Sequence, residues 1–214
     1  MPLNKKAQLK VITDSIINIL RDTKEVFNYC RYFYQPNNIE ERDYANSNFS
    51  IEIIRFTLWK QTIIEIAKLF SNKSTDKFRI SKYINNLKPD GYHGDLKFPV
   101  KKIKEYEQQI HSLSSVISDI LTIRDKLYAH TEKIFENIDS DTRVTYNIII
   151  TFNQIQSLIN ILNDIIVDVF FIIFESDLDL TVPSETNKIN ILTSLVRLRK
   201  IETEDLIDYL NKGK

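Results

Sequence analysis

The sequence predicts an all-α fold, an up-and-down bundle of four or more long helices with short additional helices. Apolar residues return at three- and four-residue steps through most of the chain, and glycine and proline number only three and five in 214 residues. An all-β sandwich needs tight turns at short intervals, which this composition does not supply. With 43% hydrophobic and 27% charged residues the composition is that of a globular protein, and a single domain over residues 1–214 with a substantial apolar core is expected.

The first helix is read from Lys6 to Tyr34, where Leu9, Ile12, Ile16, Ile19, Leu20 and Phe27 fall at helical spacing. "QPNNIEERDYANSN" breaks that pattern and reads as a polar loop. "FSIEIIRFTLWKQTIIEIAKLF" repeats Ile51, Ile54, Leu58, Ile63, Ile66 and Phe70 as a second helix, and "RISKYINNL" is a short third one. "KPDGYHGDLKFP" holds two of the three glycines and two of the five prolines, so it is the clearest loop. From Val100 to about His130 a fourth helix is marked by Ile103, Tyr106, Ile110, Leu113, Ile117 and Ile120. "ENIDSDTR" is a turn, and the β-branched run "VTYNIII" is read as a short strand. Thr151 followed by Gln154 forms a capping-box pattern that opens the next helix, whose stripe is Phe152, Ile155, Ile159, Leu162, Ile166, Val169 and Ile173. "SDLDLTVPSET" is a loop, and the last thirty or so residues form one or two shorter helices.

Twenty-nine basic and 29 acidic residues leave no global field to draw in nucleic acid or an anionic membrane, so any nucleic-acid site must be local. The single Cys30 excludes an internal disulfide and a cysteine metal cluster, in keeping with a reducing, cytoplasmic setting. The longest apolar run, near "VFFIIFE", is far short of the roughly 20 residues that span a bilayer, so no membrane helix is expected. No glycine-rich phosphate loop, zinc-protease motif or nucleophile elbow is present.

Residues 121–133, "LTIRDKLYAHTEK", place an arginine, an aspartate and one of only three histidines where the fourth helix is about to end. The stripe through Ile120 next reaches Arg124 and Leu127, and a second line of Val116, Ile120, Ile123 and Leu127 reaches His130. Each polar residue therefore stands where an apolar one was due. A guanidinium or imidazole there needs partners or the edge of a cleft, because an unpaired buried charge is expensive. Six residues of continuous α-helix make a rise of about 9 Å and a rotation of about 240°. The two side chains thus converge only if the helix unwinds near Ala129, if Arg124 uses its length, or if a second subunit supplies the opposing pair across a two-fold axis.

Two readings of this stretch stand side by side. A basic pair in the last turn of a helix complements the macrodipole without any catalysis. The same residues are also what metal-free RNA cleavage requires. Arginine contacts a phosphate and holds the charge that builds on it, histidine takes or gives a proton near neutral pH, and Asp125 orients one of the two.

"RDKLYAH" resembles the signature of the HEPN superfamily, in which an arginine, a polar residue and a histidine four to six residues on close a long helix of a helical bundle. Arg124, Asp125 and His130 match those three positions. The wider texture of residues 50 to 135, from "TLWKQTIIEIAKLF" through "ISKYINNL" to "IRDKLYAHTEK", is similar to the abortive-infection U-type (AbiU2-like) branch. The resemblance implies a homodimer whose two motifs share one cleft, and an endoribonuclease that needs no metal or other cofactor and leaves a 2′,3′-cyclic phosphate. Arg124, Asp125 and His130 would be the catalytic set, RNA the substrate, and phage defence or toxin activity the setting. Some members of the superfamily have lost activity and serve as binding or dimerisation modules. An antitoxin or nucleotidyltransferase partner is a further implication; the latter modifies a tyrosine two positions after the histidine, where this chain has Glu132.

His93 and Asp95 in "GYHGD" are too few for a metal site and read as a surface loop. His111 reads as solvated. Lys101, Lys102 and Lys104 read as a solvated basic face that could guide RNA. The surplus apolar residues of "VDVFFIIF" are assigned to core and in part to a dimer interface.

Overall fold

A computed structural model of the chain describes residues 4–73, 75–128 and 148–212. Among these the protein is all-α, with helices α1 (Lys5–Tyr34), α2 (Ile39–Ser47), α3 (Phe49–Phe70), α4 (Ile80–Leu87), α5 (Val100–Ser112), α6 (Ser114–Ile123), α7 (Phe152–Val169), α8 (Pro183–Thr186) and α9 (Ile191–Lys212). π-Helical turns continue α6 over Arg124–Tyr128 and α7 over Phe170–Phe174. The chain divides into two compact units, Met1–Lys24 with Lys60–Thr181, and Glu25–Trp59 with Val182–Lys214. Helices α1 and α3 each contribute residues to both.

In the first unit, α7 supplies the deepest apolar face. Ile155, Leu158, Leu162 and Ile166 are fully buried, while Asn153, Ser157, Asn160 and Asp164 line its exposed side. The expected capping box is formed: Gln154 N–H donates to Thr151 Oγ1 at 3.3 Å and Thr151 N–H to Gln154 Oε1 at 2.8 Å. By length and a mean hydropathy of 2.0 the helix Phe152–Phe174 is apolar enough to cross a membrane. The short run "VFFIIFE" understates this, because polar residues such as Asn153, Ser157, Asn160 and Asp164 are spaced along the helix and interrupt the apolar run without forming a polar block. Half of its most apolar window is buried against the rest of the protein, as in a core helix.

Helix α5 packs against α7. There the Tyr106 hydroxyl and Lys102 Nζ both donate to Asp168 Oδ2. Burial, and the hydrogen bond to Asp168, push the Tyr106 phenol well above its ordinary value. Lys102 is therefore tied inward, whereas Lys101 and Lys104 stay exposed on the expected basic face. Thr13 of α1 donates to the Leu9 carbonyl at 2.8 Å and bonds the buried Tyr83 hydroxyl of α4 at 2.8 Å, closing that pair of helices through polar groups with satisfied partners.

The second unit has its own small core of Tyr32, Phe33, Ala45, Ile51 and Leu192. Residues 39–47 are helical where a loop was expected. The reason is local. Asn38 caps the helix by accepting from Glu41 N–H at 2.9 Å, and the Glu41 carboxylate reaches back past the cap to accept from Asn37 N–H at 3.0 Å. Ala45 is the one apolar residue it needs to bury, so hydrophobic periodicity gave no signal. Glu41 also accepts from Thr193 Oγ1, and the Tyr32 hydroxyl accepts from Leu192 N–H at 2.9 Å, which anchors the start of α9.

Of the expected strand, residues 148–150 carry no regular structure, and 144–147 lie outside the described residues together with the "ENIDSDTR" turn. The loop after α4 is not a plain surface loop. His93 is only 1% exposed, its backbone N–H donates to the Asn86 carbonyl at 2.7 Å, and its Nδ1 is buried without a partner among the described residues. The chain folds this tightly over the end of α4 because Gly91 and Gly94 let backbone meet backbone. A Cβ on Gly91 would stand 2.3 Å from the Asn85 carbonyl oxygen, and one on Gly94 2.4 Å from that of Lys88.

Gly91→Ala should therefore lower stability by about 1–3 kcal/mol, the range of an overpacked site, read as a shift in the urea midpoint at unchanged slope. A second expectation concerns acid. Burial holds the His93 imidazole below its ordinary 6.5, with Asp95 opposing and Lys5 reinforcing that direction. The folded state thus binds the proton less readily than the unfolded chain, and the stability His93 confers is complete above about pH 6.5 and lost as pH falls. Wild type should lose midpoint on acidification more steeply than His93→Gln; parallel slopes would contradict this.

Candidate active site at the end of helix α6

The long fourth helix expected from Val100 to His130 is broken. Ser112 Oγ donates to the Gln109 carbonyl at 2.7 Å, Leu113 leaves helical geometry at φ −105° and ψ 14°, and α6 restarts at Ser114. Serines clustered about one leucine weaken the hydrogen-bond ladder by offering it local competitors. The restart settles which apolar line faces inward. Val116, Ile120 and Ile123 are buried, whereas Ile110, Leu113 and Ile117 are only half-buried.

The α-register ends at Arg124. Over Arg124–Tyr128 the backbone is π-helical, with more residues in each turn, so the rotation expected for a straight α-helix does not apply beyond Ile123. The departure begins at the arginine itself, five residues earlier than the expected unwinding near Ala129. His130 lies outside the described residues, as do Thr131 and Glu132.

Arg124 is largely buried, its side chain 15% exposed beside an Asp125 side chain 41% exposed. Its Nε donates to Asp125 Oδ1 at 2.7 Å, which fixes the plane of the guanidinium. Nη1 reaches the Ala67 carbonyl of α3 at 3.4 Å, a long bond. Nη2 is buried without a hydrogen-bond partner among the described residues. A buried cationic donor left unmatched costs folding free energy, which an anionic oxygen placed there would offset. Arg124 and Asp125 are thus brought together as expected. The Ala67 carbonyl was not foreseen, since no feature of "EIAKLF" distinguishes a carbonyl that will accept from a distant side chain.

His111 is exposed, as expected, and lies in a groove of about 510 Å³ along α4, α5 and α6, with Ile84, Ile110 and Ile117 and the Glu107 carboxylate. Glu107 is held by Lys88 at 2.6 Å, and no polar side-chain atom of that groove is left both buried and unmatched among the described residues.

No curated protein and no solved structure matches the chain. The HEPN family described as AbiU2 matches residues 16–190, which include the break at Leu113, the π-turn and the arginine it carries. That span is well over half of the 214 residues, and the all-α architecture agrees with it, so the chain belongs to the AbiU2 family of HEPN proteins.

Proposed function

We propose that this HEPN protein is a metal-independent endoribonuclease. In this reading the RNA 2′-oxygen attacks the adjacent phosphorus, the bond to the 5′-oxygen breaks, and a 2′,3′-cyclic phosphate remains. His130 carries the proton from the 2′-hydroxyl or delivers one to the leaving 5′-oxygen. Arg124 meets the charge that builds on the phosphoryl oxygens, and Asp125 is a positioning residue that sets the guanidinium plane. The observation that supports this most is the buried Nη2 of Arg124, a cationic donor without a hydrogen-bond partner among the described residues. Two copies of the motif sharing one cleft would complete the site, with phage defence or toxin activity in the cytoplasm as its setting. An antitoxin or a nucleotidyltransferase is the partner class to seek, and Glu132, where the modified tyrosine would stand, favours restraint by binding.

A second reading, an inactive HEPN-like binding or dimerisation module, draws on the Arg124–Asp125 ion pair, which already neutralises part of the guanidinium. Incubating RNA with wild type, His130→Ala and Arg124→Ala, each with and without a chelator, separates the two. The enzyme reading expects cleavage by wild type that the chelator leaves unchanged, cyclic-phosphate ends, and a fall of about 10²–10³-fold in either variant. RNA equally intact with wild type and with His130→Ala would leave the module. Arg124→Lys should lose nearly as much activity as Arg124→Ala, because an ammonium cannot replace the planar fork held by Asp125 and Ala67. Initial rates on a single RNA substrate check this.

A further inference from the structure

Helix α9 begins inside the second unit and then leaves it. Leu192 is fully buried, yet every residue from 197 to 211 is exposed. Six large apolar side chains lie in that stretch: Leu198, Ile201, Leu206, Ile207, Tyr209 and Leu210, each between 44% and 76% exposed. A helical segment of this length without tertiary support is marginal in water, and apolar side chains gathered on such a segment mark a contact surface.

The charges on the same stretch say what covers it. Arg197, Arg199 and Lys200 come first, and Glu202, Glu204, Asp205 and Asp208 follow. This order opposes the helix macrodipole, which favours acidic residues toward the N-terminus and basic ones toward the C-terminus. A second copy laid alongside in the opposite direction sets each basic half against an acidic half and opposes the two dipoles, whereas a parallel copy would set like against like. Contacts within the subunit leave the basic half able to do this. Lys200 pairs with Glu40 at 2.8 Å while its side chain stays 58% exposed, and Arg199 lies over the Tyr44 ring at 5.8 Å.

We propose that residues 197–206 of α9 form the centre of a self-association surface on which a second copy of this chain binds antiparallel, about a two-fold axis crossing the helix near residues 201 and 202. The proposal rests on the second unit alone and does not depend on the activity of Arg124.

Sedimentation equilibrium of the full-length protein tests it. Wild type should self-associate. Arg197→Glu with Arg199→Glu makes the stretch predominantly acidic, and Glu204→Lys with Asp208→Lys makes it predominantly basic. Each pair should weaken association at least about tenfold, while an equimolar mixture of the two double variants should associate more tightly than either alone. Circular dichroism confirms that both are folded, as exposed positions allow. Orientation is read by oxidative cross-linking, against a background in which the native Cys30 is buried. Glu202→Cys should cross-link to itself and Leu210→Cys should not. A wild type that is monomeric throughout, charge-reversed variants that associate like wild type, or equal self-cross-linking at both positions would each overturn the proposal.

Discussion

The first unit depends on burying one face of α7. Ile155, Leu158, Leu162 and Ile166 are fully removed from water, and burial of each such side chain is worth roughly 1.5–3 kcal/mol. α5 is held on this helix by Tyr106 and Lys102, which share the Asp168 carboxylate. Two donors thus meet one carboxylate, and its hydrogen bond adds to burial in raising the Tyr106 phenol. Packing and polar satisfaction therefore act at one place, and the orientation of α5 follows from both.

The break at Leu113 makes that orientation compatible with a differently phased α6. Were α5 and α6 one straight helix, the line Ile110, Leu113 and Ile117 would compete with Val116, Ile120 and Ile123 for the interior. Separating the helices lets the second line win. The π-turn then delivers Arg124 beside Ala67 with its guanidinium enclosed and its Nη2 unmatched among the described residues. Such widened turns occur often at functional sites, where a side chain must leave the regular ladder. Here the widening coincides with the one position in "TIRDK" where a charge replaced an expected apolar residue.

The second unit is built by a different economy of forces. Its apolar core is small, and carboxylates organise much of its surface. Glu41 caps α2 and receives Thr193, while Glu25 receives both the N–H and the hydroxyl of Ser184 at the start of α8. These bonds fix where α9 starts but not what lies along the rest of it, and the apolar and charged residues of its second half are left facing outward.

Helical class, the extents of α1, α3, α4 and α7, and the Thr151 capping box were legible in the sequence, because periodicity and capping chemistry act over a few residues and leave a local trace. The misplaced charge of Arg124 was legible too, since a charge at an apolar phase is visible without coordinates. Helix α2 was hidden because its stability comes from Asn38 and Glu41 and not from an apolar stripe. The burial of His93 was hidden because it depends on two glycines meeting carbonyls that the chain had left several residues earlier. Sequence by itself determined the helical class, most of the long helices and the charge standing out of phase at Arg124. Only the tertiary structure decided which of two apolar lines on α6 faces inward, and which carbonyl Arg124 meets, because both depend on contacts between segments far apart along the chain.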